Sequence, residues 1–128
     1  MENSSATVWE KTLWNTSAYP WFDWVASGKK TIECRIYRKD WKKVKVGDII
    51  YFNAVISNRR IKTEITGITI FKTFSEAYVY HGQKMIPEYI LTPDHGDIIY
   101  GDIYSSEQDK KDLEKYGVIA VGIQAVRE

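Results

Sequence analysis

The sequence predicts an α+β fold in which a small mixed β-barrel is decorated by short helices. Several segments with a two-residue apolar period follow one another without intervening helices, which favours an antiparallel or mixed sheet. Gly67 interrupts the longest of these segments, residues 60–72. A glycine inside a strand is typical of a bulge that curls a sheet towards a barrel. A chain of 128 residues has the length of one domain.

The strands are placed by apolar alternation and by the turn residues between them. Gly47-Asp48 marks a turn, and Ser57-Asn58 begins a hairpin connection. Neither segment continues the apolar alternation beside it, so each separates two strands. The strands are expected at residues 8–14, 31–37, 49–56, 60–72 and 118–126.

The helices are placed by their capping residues. Ser17 is the expected cap of the first helix, and Gly28 ends it. Thr92 precedes a proline and an acid, a typical helix start, and Ser105 with Gln108 forms a capping-box pattern. The helices are therefore expected at residues 17–28, 75–80, 92–104 and 105–116.

Composition excludes several classes of protein. The aromatic fraction of 14% and the net charge of +1 are those of a folded chain. Cys34 is the single cysteine, so no intrachain disulfide can form, and its spacing from His81 and His95 matches no zinc site. No window is apolar enough for a membrane span, and residues 1–7 form a polar extension without signal-peptide character. We expect a cytoplasmic protein with no cofactor, no metal and no membrane partner.

The small net charge conceals an asymmetry along the chain. Residues 29–62 contain eleven Lys or Arg and three Asp or Glu, whereas residues 76–116 contain four Lys and nine Asp or Glu. A basic segment in a nearly neutral protein predicts a positive face that could meet an anionic partner.

The most informative stretch is residues 28–35, GKKTIECR. Lys30 stands at the start of a strand, and Glu33 and Arg35 project side by side because they are two residues apart. Arginine offers a planar fork of donors, and a carboxylate beside cations stays ionised, so this face could hold an anion or a polar base edge. The opposite face of the strand is expected in the core, and it carries Ile32, Cys34 and Ile36.

The run Gly28-x-Lys30-x-x-Glu33-x-Arg35 resembles the signature of ASCH domains, a branch of the PUA-like superfamily. The flanking segments 21–27, 46–52, 104–105 and 116–121 are similar to the family's neighbouring helix, strand, closing tyrosine and final strand. The resemblance spans about residues 8–126, with a poorly matched part at 81–101. It implies one ASCH domain over residues 1–128, a PUA-like β-barrel with a cleft beside the motif, and a role in RNA binding or processing.

The resemblance also implies two possible activities. Some bacterial members resemble amidohydrolases that remove the acetyl group of N4-acetylcytidine, and others are reported as ribonucleases. The motif lysine is the proposed nucleophile or base of the amidohydrolases, and Lys30 matches it. Glu33 stands where those enzymes have a threonine, and its carboxylate would oppose the lowered lysine pKa that catalysis needs. Glu88 is the candidate for their second acid, with Glu107 as a weaker one.

We therefore expect recognition of RNA or of a modified nucleoside through a basic cleft around the motif. Amide hydrolysis with Lys30, Glu33 and Glu88 is the alternative, a ribonuclease has less support, and a protein-interaction domain stays open. In the binding hypothesis lysines and arginines meet phosphates, Glu33 and Arg35 read a base edge, and tyrosines stack on bases. The expected ligand-binding residues are Lys29, Lys30, Glu33, Arg35, Tyr37, Arg38, Tyr104 and Ser105, with Lys39 as a further phosphate contact.

Overall fold

The computed structural model describes residues 6–127, so residues 1–5 of the predicted N-terminal extension and residue 128 lie outside the described part. The strands are β1 (Val8–Leu13), β2 (Ile32–Ile36), β3 (Ile49–Ala54), β4 (Arg60–Phe71) and β5 (Val118–Ala125). The helices are α1 (Trp21–Ser27), α2 (Phe74–His81), α3 (His95–Ile103) and α4 (Glu107–Tyr116), with short 3-10 helices at Lys39–Lys42 and Gly82–Lys84.

The five strands form one mixed sheet in the order β1-β3-β4-β5-β2. β1 runs parallel to β3, and the other neighbouring pairs are antiparallel. The sheet curls into a half-barrel whose two edge strands are β1 and β2. This architecture confirms the predicted α+β fold with a mixed barrel-like sheet and short helices.

The predicted bend in the long strand lies at Gly67. The pairing between β4 and β5 passes from Ile65 opposite Ile123 to Gly67 opposite Gly122, so Thr66 is the extra residue of a bulge. Gly122 suits this bulge because a Cβ atom there would lie 2.6 Å from Thr66 Oγ1. The bulge increases the local twist and lets β4 serve both halves of the curled sheet.

The core lies between the concave face of the sheet and helices α1, α2 and α3. Ile32, Cys34 and Ile36 are buried, as the alternation in β2 predicted. Glu33, on the other face of the strand, is buried as well, with 5% of its surface exposed. β2 is thus covered on both faces although it is an edge strand. The largest fully buried side chains include Phe22, Lys30, Phe52, Phe74 and Met85.

Three helices start later than the sequence pattern predicted. α1 begins at Trp21 with Pro20 in the cap position, whereas the expected cap was Ser17. α3 begins at His95, whereas the expected cap was Thr92, whose hydroxyl instead contacts the Asp94 carboxylate at 2.5 Å and His95 Nδ1 at 2.6 Å. The cap of α4 is Ser106, whose hydroxyl accepts from the Asp109 amide at 3.0 Å, and the predicted cap was Ser105.

The first turns of α2 and α3 contact each other closely. The Ser75 amide donates to the Asp97 carboxylate at 3.3 Å, and the Asp97 amide donates to the Ser75 hydroxyl at 2.9 Å. Gly96 makes this approach possible, because a Cβ atom there would lie 2.4 Å from the Phe74 carbonyl oxygen. Backbone atoms cannot move aside as a flexible side chain can, so the position of α3 depends on this glycine.

The Gly96→Ala variant should lose about 1–3 kcal/mol of unfolding free energy, since its methyl group would overpack the α2–α3 contact. Gly101→Ala is the matched control in the same helix, where a Cβ atom meets nothing within 4 Å. It should gain up to about 1 kcal/mol from the better helix propensity of alanine. Urea unfolding measures both, and equal effects of the two substitutions would contradict the steric explanation.

Candidate functional site

The two edge strands of the half-barrel are joined by a side chain. Arg35 of β2 donates from Nη2 to the carbonyl oxygen of Thr12 in β1, at 2.9 Å. Its guanidinium also lies 5.2 Å from the ring centroid of Trp41. No backbone ladder joins β1 to β2 within residues 6–127. Arg35 therefore bridges the open seam of the sheet.

Glu33 is held between two cations. Its Oε2 atom accepts from Arg35 Nε at 2.6 Å, and its Oε1 atom lies 3.5 Å from Lys30 Nζ. Only 6% of the Glu33 side chain and none of the Lys30 side chain is exposed. The three ionised groups carry one net positive charge, and each charge is paired, as burial requires.

Lys30 is committed to contacts inside the protein. Its Nζ atom donates to the carbonyl oxygens of Ile32 and Met85, each at 2.5 Å, and lies 5.0 Å from the ring centroid of Trp21. Burial lowers the pKa of Lys30, and the nearby carboxylate of Glu33 opposes that shift. The ammonium group links the start of β2 to the segment that follows the 3-10 helix at Gly82–Lys84.

A cavity of about 640 Å³ lies over the seam. Ligand pockets have volumes of about 300–1,000 Å³, so this cavity has the volume of a small-molecule site. The motif contributes Glu33, Cys34 and Arg35 to its wall, and α3 forms the facing side. The other lining residues are Thr12, Leu13, Trp14, Thr16, Tyr19, Trp21, His95, Ile98, Ile99, Tyr100, Asp102, Ile103 and Tyr104.

The cavity combines an apolar rim with polar groups in its wall. Trp14, Ile98 and Ile103 are about half exposed, with 55%, 52% and 49% of their surfaces accessible. Glu33 supplies acceptor oxygens and Arg35 supplies donors. Lys30 does not belong to the lining, because it lies behind the Glu33 carboxylate.

Several of the predicted site residues lie outside the cavity. Lys29 and Glu88 form an ion pair with each other at 2.6 Å, and about half of each side chain is exposed. Glu88 has a positive φ of 68°. Tyr37 is half-buried beneath Lys42, whose Nζ atom lies 5.7 Å from its ring centroid. The structure brings none of these residues to the lining.

Of the remaining predicted site residues, one lines the cavity, one is paired with α4 and three are exposed. Tyr104 lines the cavity, and the Arg38 guanidinium lies 5.7 Å from its ring centroid. Arg38 itself is paired with Asp109 and Asp112, each at 2.8 Å. Ser105, Lys39 and Glu107 are exposed and do not belong to the lining.

The basic segment 29–62 is largely matched by acidic partners. Seven of its eleven basic side chains make ion pairs within residues 6–127, namely Lys29, Lys30, Arg35, Arg38, Lys45, Arg59 and Arg60. Lys30, Arg35 and Lys45 pair with carboxylates two or three residues away. The other four pair with carboxylates from distant parts of the chain, such as α4 for Arg38. Acidic side chains therefore neutralise much of the positive charge of this segment.

Sequence reasoning missed most of the facing side of the cavity. Tyr100, His95 and Ile98 belong to α3, in the stretch that matched the family pattern poorly. Trp14 and Tyr19 belong to the tryptophan-rich first third of the chain, which was the one available signal for aromatic side chains at a site.

None of the helices within residues 6–127 combines the length and the apolar character of a membrane span. No group of three or more His, Cys, Asp or Glu side chains there could hold a metal ion.

Comparison with known proteins gives a consistent family and fold. The profile of the ASCH domain matches residues 18–127. The crystal structure of the hypothetical protein PH0355 is 27% identical, with a TM-score of 0.75 over 94% of this chain and 100% of that one. The Pyrococcus furiosus protein PF0455 is 24% identical, with a TM-score of 0.69 over 95% and 100% of the two chains. An ASCH domain from Lactobacillus crispatus, 11% identical, gives 0.64 over 94% and 80%. Comparison with curated proteins finds no match.

Replacing Glu33 by glutamine should destabilise the protein by about 3–5 kcal/mol, because removing the anion leaves the buried Lys30 and the partly buried Arg35 without a counter-charge. Glu64→Gln is the matched control, since Glu64 is an exposed strand residue, and it should have little effect. Urea unfolding of both variants measures the difference. A Glu33→Gln variant as stable as the control would show that the paired charges add nothing to stability.

Cys34 should react slowly with a thiol reagent in the folded protein. It is 1% exposed, and burial raises the pKa of its thiol to about 12, so little thiolate is present at mildly alkaline pH. Labelling with a chromogenic disulfide should be fast only after addition of denaturant. Rapid labelling of the native protein would contradict the burial of this strand face.

Proposed function

This chain belongs to the ASCH domain family, and from that premise we propose that it recognises a single nucleoside in the cavity beside Glu33 and Arg35. The nucleoside is either free, including in a modified form, or an unstacked nucleotide of single-stranded RNA. In both cases the ligand is a base with its sugar, since that is the unit which fits the cavity.

One observation carries this proposal, namely the meeting of aromatic rings and paired polar groups in one nucleoside-sized cavity. Trp14, Tyr19 and Tyr104 offer rings to a base, and stacking on such rings contributes about 1–3 kcal/mol per base. Glu33 and Arg35 offer acceptors and donors at the same wall. Although each Glu33 oxygen already faces a cation, a carboxylate has about four lone-pair sites and retains acceptor capacity.

The charge distribution supports one nucleoside over a long stretch of backbone phosphates. Lys29 and Arg38, both predicted to meet phosphates, are paired with Glu88 and with two aspartates of α4. A ligand phosphate would have to compete with these carboxylates. The base and its sugar therefore provide most of the recognition in this proposal.

Amide hydrolysis is a second candidate function, and one observation favours it. Burial lowers the pKa of Lys30, which is the direction that nucleophilic or general-base chemistry requires. Its Nζ atom, however, donates to two backbone carbonyls, and Lys30 does not belong to the lining of the cavity. Glu88, the candidate second acid, lies on the surface with Lys29. The geometry therefore supports binding better than turnover.

Calorimetric titration with N4-acetylcytidine, cytidine and a short single-stranded RNA tests the proposal. The protein should bind at least one of the nucleosides, and Trp14→Ala should weaken binding roughly tenfold or more by removing a stacking ring. Tyr80→Ala is the matched control, because Tyr80 is an aromatic residue with 71% of its surface exposed, away from this cavity. Equal losses in both variants would contradict a specific site.

The same experiment separates binding from hydrolysis. After incubation, chromatography should recover N4-acetylcytidine intact, because the Lys30 amine is covered. Release of cytidine by the wild-type protein would instead favour the amidohydrolase. Binding of RNA that is tight but unaffected by Trp14→Ala would place the nucleic-acid contact on another surface.

A further inference from the structure

The hydroxyl group of Tyr100 is a buried polar group without a hydrogen-bond partner among residues 6–127. Tyr100 lies in α3, is 4% exposed, and contributes to the wall of the cavity opposite the motif. Buried hydroxyl groups in proteins are nearly always hydrogen-bonded, because an unpaired one loses its contacts with water. Because Tyr100 belongs to the lining of a ligand-sized cavity, a molecule bound there is a candidate partner for this hydroxyl.

The ring of Tyr100 is held firmly in place. It stacks on Phe74 with 4.4 Å between ring centroids and 6° between ring planes, and it lies 5.7 Å from the ring of Trp21. These ring contacts explain an aromatic side chain at this position, but a phenylalanine would make them equally well, so they do not explain the hydroxyl. A fixed ring also fixes the hydroxyl, so a hydrogen bond to a ligand costs little conformational entropy.

The hydroxyl is a donor over the working range of pH. Burial, together with the neighbouring Cys34 and Glu33, raises the pKa of Tyr100 well above its ordinary value. The tyrosine thus keeps its proton, and it can offer that proton to an uncharged acceptor. Arg35 lies in the same lining with Nε and Nη2 already engaged, which leaves Nη1 as a second donor.

We propose that Tyr100 is a ligand-binding residue whose hydroxyl donates a hydrogen bond to a carbonyl oxygen of the bound base. This inference rests on the proposed function and specifies which bases the site should prefer. Bases that carry a carbonyl oxygen satisfy the orphan donor, whereas a base without one leaves the hydroxyl buried and unpaired. A site built around a buried polar group discriminates strongly against ligands that fail to pair with it.

The test compares Tyr100→Phe with Tyr78→Phe, using cytidine as the probe because its base carries a carbonyl oxygen. Tyr78 is also a buried helical tyrosine, but its hydroxyl accepts from the Leu91 amide at 3.2 Å and it does not belong to the cavity lining. Tyr100→Phe should bind cytidine roughly tenfold more weakly while keeping or gaining stability. Tyr78→Phe should lose stability while keeping the affinity for cytidine.

The opposite pattern would overturn the inference. If Tyr100→Phe unfolds at lower urea concentration and binds cytidine as tightly as the wild type, the hydroxyl has a structural partner and no ligand role. Unchanged affinity and unchanged stability would likewise overturn the role of Tyr100 and leave the proposed function standing. If the wild-type protein binds no nucleoside, the proposed function fails, and the role of Tyr100 fails with it.

Discussion

The buried carboxylate of Glu33, held between Lys30 and Arg35, is the interaction on which the rest of the structure depends. A charge in the interior is tolerated only when it is paired, so the three side chains must be placed together. Lys30 then reaches the Met85 carbonyl at 2.5 Å, and Arg35 reaches the Thr12 carbonyl at 2.9 Å. Through these contacts one anion connects β2 to the segment after α2 and to β1 across the seam.

The same groups that close the seam also form the wall of the cavity. Because Glu33 and Arg35 are locked by their partners, a ligand bound as proposed would meet polar atoms that are already oriented, and little ordering would be needed on binding. Lys30 lies behind this wall and supports it. In the proposed function Lys30 supports the cavity wall, and Glu33 and Arg35 are the motif residues that contact the ligand.

Ion pairing also bears on how a chain with a strongly basic middle could recognise its ligand at one cavity, as proposed above. Arg38 is drawn to the aspartates of α4, and Lys29 is drawn to Glu88. An exposed pair such as Lys29 with Glu88 contributes little stability. Ion pairs do reduce the positive electrostatic potential that the basic segment would otherwise present to solvent. The hydrogen-bond donors of Arg35 and Tyr100 in the cavity wall are then the more distinctive chemical feature.

Local rules predicted the strands, the bulge at Gly67 and the neighbouring projection of Glu33 and Arg35, because side-chain alternation and glycine conformation act over a few residues. They failed at the helix starts, where Thr92 and Ser105 had competing partners or neighbours. Only the tertiary structure decided that Lys30 is buried, that Arg38 pairs with α4, and that α3 with Tyr100 forms the facing side of the cavity. These contacts are between residues tens of positions apart. The sequence offers many carboxylates and carbonyls that could pair with a given cation, and only packing decides which of them lies close enough.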